Sequence, residues 1–254
     1  MPSVSLLSTT PVKSLGLQHP RSIRLERDGV PGNREFFLVD PSGRLVNASK
    51  HGPLMQVRAE LAGSGRDERL RLRFPDGAEV SGGVSLGDAS PTNFWGRPVS
   101  GRFVEGPFAE ALSAYVGRPV RLVRAERHGG AFDVEVVTLV SEASVEELGR
   151  QSGVPGLDGR RFRMLLTLAG CEPHEEDTWE GRRFRVGTAA ICVGGPVPRC
   201  VITTKDPDTG ARDFDSLREI KRYRGADDGS VDFGVYARVE EPGTVTVGDE
   251  LEPI

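Results

Sequence analysis

One thiol carries most of the chemistry legible in this chain. Cys200 stands in Gly195-Pro-Val-Pro-Arg-Cys-Val-Ile-Thr-Thr-Lys-Asp-Pro-Asp-Thr-Gly210. An arginine precedes it, an apolar β-type run follows, and a polar turn closes the segment. The thiolate is the form that ligates metals or attacks electrophiles, and a neighbouring cation favours it. Arg199 supplies that cation by sequence. The competing reading is a buried structural cysteine. Cys192 lies in the alternating segment Ala190-Ile-Cys-Val193 and is expected in the core. Cys171 follows Gly170 and is expected to be a semi-buried bystander. Three cysteines cannot all pair within the chain, and their spacing matches no zinc pattern. Free thiols in a reducing cytoplasm are the simplest account.

Basic groups suited to phosphate form a second set. Pro11-Val-Lys13-Ser14 puts an ammonium beside a hydroxyl, with Gly16 close behind. Arg163 and Arg199 offer planar forks for phosphate or ring carbonyl groups. No Walker-type or GxGxxG loop is present, so a nucleotide-binding fold is not indicated. Arginines cluster at Arg160-Arg161-Phe-Arg163, Arg182-Arg183-Phe-Arg185 and Lys221-Arg222-Tyr-Arg224. In an acidic chain such clusters indicate either a small anionic ligand or an acidic partner, or solvated strand ends. His19, His51 and His128 fall in loops or a linker. His174, in Glu172-Pro-His-Glu-Glu-Asp177, has the composition of a metal cluster but reads as an exposed acidic loop. No Ser-His-Asp arrangement is visible.

The elements that must position these residues are mostly strands. Gly (32) and Pro (18) divide the 254 residues into short β-branched or alternating segments. These are Val4–Ser8, Glu35–Val39, Leu54–Leu61, Leu70–Phe74, Val99–Val104, Val134–Val140, Met164–Leu168, Ala189–Val193, Cys200–Thr204, Phe233–Val239 and Thr244–Val247. The pattern predicts a mainly β, barrel-like fold with a few short helices. Helices are expected at Pro107–Val116, from Ser144-Val-Glu-Glu147 to about Gly149, and at Asp215–Tyr223. The polar stretch from Arg124 to Ala131 is the expected domain boundary. A net charge of −4 argues against nucleic acid or an acidic membrane surface as the main partner. No run of about 20 apolar residues and no signal-type start is seen.

The motifs, taken in order, resemble the MOSC domain family, in the form where a MOSC N-terminal β-barrel domain precedes the MOSC domain, as in the amidoxime-reducing proteins. The N-terminal marks are Pro11-Val-Lys-Ser14, Gly32-Asn-Arg-Glu-Phe-Phe-Leu-Val-Asp40 and Gly43-Arg-Leu-Val-Asn47. The C-terminal marks include Leu139-Val-Ser-Glu-Ala-Ser144, Arg161-Phe-Arg163, Glu176-Asp-Thr-Trp179, Pro198-Arg-Cys200, Thr203–Gly210, Phe233-Gly-Val-Tyr236 and Glu241-Pro-Gly-Thr244. The resemblance implies a MOSC-type barrel over 125–254 and a smaller β-rich domain over 1–124. It implies molybdenum cofactor (a molybdopterin) with Cys200 as metal ligand and catalytic residue. Lys13, Ser14, Arg34, Ser141, Arg163, Arg199 and Tyr236 fall on or beside its cofactor-contacting motifs. It further implies reduction of small N-hydroxylated substrates, with electrons from a separate redox protein, since no Fe–S cysteine set or flavin motif appears. A sulfur-carrier or cofactor-delivery role, with Cys200 bearing a persulfide, is the alternative. The sequence departs from the pattern at Met164-Leu165, where Pro-Asn is usual, at Ala48-Ser-Lys50, where an Arg or Gln is usual, and at Pro198.

Overall fold

The computed structural model describes residues 1–127, 130–226 and 229–254, so His128 of the expected boundary lies outside the described residues. Alternation of apolar and polar residues makes the strands. Arg69-Leu-Arg-Leu-Arg73 is the plainest case, with both leucines fully buried and all three arginines exposed. It pairs on either side with Arg58–Ala62 and Glu79–Gly83. A second, five-stranded sheet runs Leu45–Val46, Phe36–Val39, Arg121–Ala125, Gly101–Glu105, Ser85–Ala89. These two sheets share a core of Phe36, Leu38, Leu54, Met55, Leu70, Leu72, Phe108 and Leu122. Helix α1 (Phe108–Val116) packs on it and stops at Gly117, whose φ of 73° is left-handed.

The C-terminal half builds a seven-stranded sheet in the order Ser3–Leu7, Leu166–Ala169, Val137–Ser141, Asp232–Glu241, Ala189–Pro198, Arg183–Val186, Leu251–Pro253. Its two edges nearly meet. Leu251 donates to Pro2 (2.8 Å) and Val4 to Asp249 (2.9 Å), which closes the sheet towards a barrel. The chain's first residues are thus built into its last domain, and Ser22–Leu25 also pairs with Gly243–Thr246. Val4, Leu7, Ile23 and Leu25 join Trp179, Phe184, Ile191 and Val235 in that core. Helix α2 (Glu142–Ser152) is the crossover between two parallel strands, and α3 (Ser216–Arg224) packs beside it. Among the described residues no helix is long and apolar enough to cross a membrane.

Several expectations need correction. Cys200–Thr204 is not a strand. Its strand ends at Pro198, and Val201–Thr204 is a 3₁₀ turn. The hydroxyls of Thr203 and Thr204 bond back to the carbonyls of Cys200 (3.0 Å) and Val201 (2.8 Å), an alternative that a strand does not offer. Leu54–Leu61 begins instead within the 3₁₀ turn Gly52–Gln56, started by Pro53, and only Arg58–Ala62 is extended. Helix α2 begins three residues early. Ser141, not Ser144, is its cap, accepting from the Ser144 amide (3.0 Å).

The two halves meet closely at Gly52 and Gly210. A Cβ on Gly52 would lie 2.0 Å from the Gly210 carbonyl oxygen, so only glycine allows this approach. Gly52→Ala is expected to lower unfolding free energy by about 2 kcal/mol or more, read by urea titration. A change below about 0.5 kcal/mol would show that the seam yields freely.

Candidate functional site

Three loops converge beside this seam. Lys13 and Ser14 follow an isolated bridge from Val12 to Phe36, and the Lys13 amide donates to the Phe36 carbonyl (2.7 Å). Arg34 comes just before that strand, its amide bonded to Thr10 (2.7 Å). Arg163 caps the 3₁₀ turn Gly159–Phe162. Ser14 (φ 78°), Arg34 (φ 52°) and Arg163 (φ 54°) all adopt left-handed backbone, which non-glycine residues enter at a cost. Among the described residues only Trp95 and His174 also do so. Such strain collects where function demands a geometry.

The cations themselves are crowded and secluded. The Arg163 guanidinium donates to the Leu15 carbonyl (2.6 Å), and Arg34 donates to the Arg163 carbonyl (3.2 Å). Arg199 acts electrostatically on Cys200, as its position in sequence led one to expect. Its side chain turns inward, donating to the Phe162 carbonyl and the Met164 thioether (3.3 Å) over the Phe162 ring. Burial, with repulsion from Arg34 and Arg58, pulls Arg163 down to about 9. Arg199 falls to about 10, mainly by burial, and Arg34 is lowered for the same reason. Burial raises the Tyr236 hydroxyl above its ordinary value, with Asp133 adding to it. Two guanidinium nitrogens, Nη1 of Arg163 and Nε of Arg199, are buried without a hydrogen-bond partner. An unmet buried donor costs about 1–3 kcal/mol, more on a charged group. An anion among these cations would relieve their repulsion, and its oxygens are the acceptors such donors lack.

Lys13 is differently placed. Its ammonium already donates to the Ala131 carbonyl and to Asp133, both at 2.9 Å. Phe94 and Trp95 lie 5.5 and 5.6 Å from it. Asp133 also acts electrostatically on Arg34, Arg199 and Tyr236, so one half-exposed carboxylate faces most of the group.

Cys200 is the exposed thiol of the three, beside Ser49 (3.9 Å) from the other half of the chain. Cys192 is buried, and Cys171 is half-buried, its thiol pushed up to about 12 by burial and nearby carboxylates. Ser141 is fully buried, and its hydroxyl is engaged with Ser144 (2.6 Å) in the helix cap. Among the described residues its hydrogen bonds go to Ser144 and Glu176 and not to a cation of the cluster. The loop around His174 is not simply exposed. Glu176 is fully buried, accepting from the Ser141 amide (3.0 Å) and Ser144 hydroxyl (2.8 Å). His174 bonds Tyr223 (3.1 Å) and Arg224 (2.9 Å). Among the described residues no three His, Cys, Asp or Glu side chains converge as metal ligands.

The arginine clusters are mostly neutralised rather than presented to a partner. Arg160 pairs with Asp158 and Asp208, and Arg161, buried, forms a fork with Asp213 (3.1 and 3.0 Å). Arg183, Arg185, Arg222 and Arg224 pair with Glu240, Glu241, Glu219 and Asp177. Arg34, Arg163 and Arg199 have no carboxylate at ion-pair distance among the described residues. Asp133 and Asp213 are the partners that sequence reasoning missed, since each lies far along the chain from its cation.

Two family models divide this geometry between them. The MOSC domain matches residues 125–252, and the MOSC N-terminal beta barrel domain matches residues 1–119. The chain belongs to the MOSC domain family. Human mitochondrial amidoxime-reducing component 1 is 31% identical over 259 residues, covering 89% of this chain and 74% of that protein. Rat mitochondrial amidoxime reducing component 2 is 36% identical over 127 residues. That match covers 47% of this chain and only 37% of the rat protein. Molybdenum cofactor sulfurase of Caenorhabditis briggsae is 26% identical over 96% of this chain and 34% of its own length. A solved structure, the YUAD protein from Bacillus subtilis, aligns over 99% of this chain and 94% of its own at 16% identity and a TM-score of 0.48. The mainly β architecture, with three helices and a nearly closed seven-stranded sheet among the described residues, is the one expected from the strand pattern.

The buried ammonium of this MOSC protein makes a pH test. Burial, with repulsion from Arg34 and Arg163, pulls Lys13 down to about 8 from 10.5, against the opposing pull of Asp133. The unfolded chain then holds the proton more tightly. Stability is full above pH ~10.5 and falls as pH drops through ~8. The stability difference between wild type and Lys13→Met should therefore rise between pH 8 and 10, by up to about 3 kcal/mol in full. A difference flat across that range in urea unfolding would refute the burial account.

Proposed function

We propose that this chain is a molybdenum-cofactor protein that reduces small N-hydroxylated compounds. The observation carrying the reading is an exposed soft thiol, Cys200, adjoining secluded guanidinium groups with no carboxylate at ion-pair distance among the described residues. The donor set suits the group. Thiolate sulfur is a fitting ligand for a soft metal centre. Arg34, Arg163 and Arg199 would receive the terminal phosphate and the polar edge of the pterin, with Nη1 of Arg163 and Nε of Arg199 gaining the acceptors they lack. Lys13 would exchange its bond to Asp133 for the ligand's anion, and Ser14 lies beside it in the same strained turn. When bound, the molybdenum centre would supply the two-electron oxygen-atom chemistry.

The protein's part is orientation and charge. Tyr236 keeps its proton at neutral pH and remains a hydrogen-bond donor at the site. Arg199 keeps its positive charge beside the Cys200 sulfur, within electrostatic reach of it. Met164 fits because Gly234 has no side chain. A Cβ there would lie 2.6 Å from the methionine methyl. Leu165 belongs to the barrel core, so this departure from the family pattern does not line the site. Electrons would come from a separate redox protein.

Metal content tests the reading directly. Purified from a host that makes molybdenum cofactor, the wild type should carry close to stoichiometric molybdenum by mass spectrometry. Cys200→Ser should lose it, and Arg163→Gln should retain a reduced share. Molybdenum absent from wild type would overturn the proposal. The exposure of Cys200 and the similarity to a cofactor sulfurase favour one second reading, a sulfur carrier. A persulfide trapped on Cys200 by alkylation, without bound metal, would establish that instead.

A further inference from the structure

At the rim of the cation cluster stands a tryptophan that the fold does not explain. Thr92–Phe94 and Arg97–Val99 form a tight hairpin whose two-residue tip is Trp95-Gly96. Both tip residues have positive φ, 49° and 93°. Such turns favour Asn or Asp followed by Gly, because a bulky side chain is strained there. Trp95 is nevertheless in place, and 67% of it is exposed. Its ring meets Phe94 edge-on, with centroids 5.7 Å apart. Strain and exposure both count against this residue, and its contacts with Phe94 and the Lys13 ammonium leave most of the indole open.

The tip is nonetheless held firmly. The Asn93 side chain accepts from the Gly96 amide (2.6 Å). Phe94 is buried edge-to-face against Phe37 (5.0 Å). Arg97 donates to the carbonyls of Gly130 (3.1 Å) and Phe132 (2.5 Å), which fastens the hairpin to the segment carrying Asp133. Lys13 approaches the indole at 5.6 Å, and Lys13 is coupled electrostatically to Arg34 and Arg163. A firmly held, open aromatic surface therefore borders cations that call for an anion.

We propose that Trp95 is a stacking wall for the flat ring of an anionic ligand whose phosphate is taken by the neighbouring cations. This rests on the cofactor reading above and adds a binding residue to it, so that the ring is a pterin. The open indole face would bind by stacking, and the ring's charged end would reach the Lys13 side, where Asp133 gives way. An aromatic face recognises a planar heterocycle without demanding a particular edge, so stacking adds affinity while the cations set direction.

The chain contains two tryptophans, and Trp179 is buried in the barrel core, so the emission of exposed tryptophan comes from Trp95. Apoprotein from a cofactor-deficient host is titrated with an oxidised 6-alkylpterin phosphate and separately with inorganic pyrophosphate. The pterin should quench the red-shifted emission in wild type, and Trp95→Phe should abolish that component. By pterin fluorescence anisotropy, Trp95→Ala should weaken pterin phosphate about tenfold, with Trp95→Phe within about threefold of wild type. Pyrophosphate should bind all three alike, which also shows that the variants are folded. Equal pterin affinity in wild type and Trp95→Ala, or no pterin binding at all, would overturn the stacking role. Molybdenum retained by wild type alongside equal affinities removes only this inference. Trp95-dependent pterin binding in a protein that never holds molybdenum removes only the metal reading.

Discussion

The arrangement depends on like charges held together by neutral acceptors. Arg163 is fastened to the Leu15 carbonyl and Arg34 to the Arg163 carbonyl, bonds that span more than a hundred residues of chain. Each fixes a guanidinium without cancelling its charge. The pair then repel one another in a place where water cannot screen them. Only a well-formed fold can hold such a grouping, and here two packed cores and a nearly closed sheet do so.

The threading of the chain serves the same end. The first strand and the segment from Ser22 to Leu25 are built into the C-terminal sheet, while Lys13 and Ser14 lie on the crossing between them. The loop bearing the ammonium is therefore anchored on both sides by strand pairing. Gly52 against Gly210 brings the second loop, with Ser49, up to Cys200. Left-handed backbone at Ser14, Arg34 and Arg163 is tolerated because each is flanked by such fixed elements. The strain is local, and the packing that opposes it is distributed.

Much of this was legible from residue order. Strand alternation and the stop at Gly117 follow from local chemistry. What escaped was decided at a distance. The pairs Arg161–Asp213, Arg224–Asp177 and Lys13–Asp133 join residues 47 to 120 positions apart, so clusters that read as free basic surface prove mostly internally paired. Ser144 read as a helix cap because its neighbours fit the pattern, yet its hydroxyl is committed to buried Glu176. The strand at Glu79–Gly83 was hidden by its glycines, which carry no side chain to show alternation.

The same contrast separates structural arginines from those suited to a ligand. Arg160, Arg161, Arg183, Arg185, Arg222 and Arg224 each end on a carboxylate, and their charge is spent within the protein. Arg34, Arg163 and Arg199 end on carbonyls or, for Arg199, also on a thioether. A neutral acceptor orients a guanidinium but leaves its field intact, so the electrostatic free energy of the group is released only when an anion arrives. Met164 has a place in this logic. Its thioether is a weak acceptor for Nη1 of Arg199, whose Nε is unmet. A neutral, soft acceptor at this position therefore orients the cation without cancelling its charge.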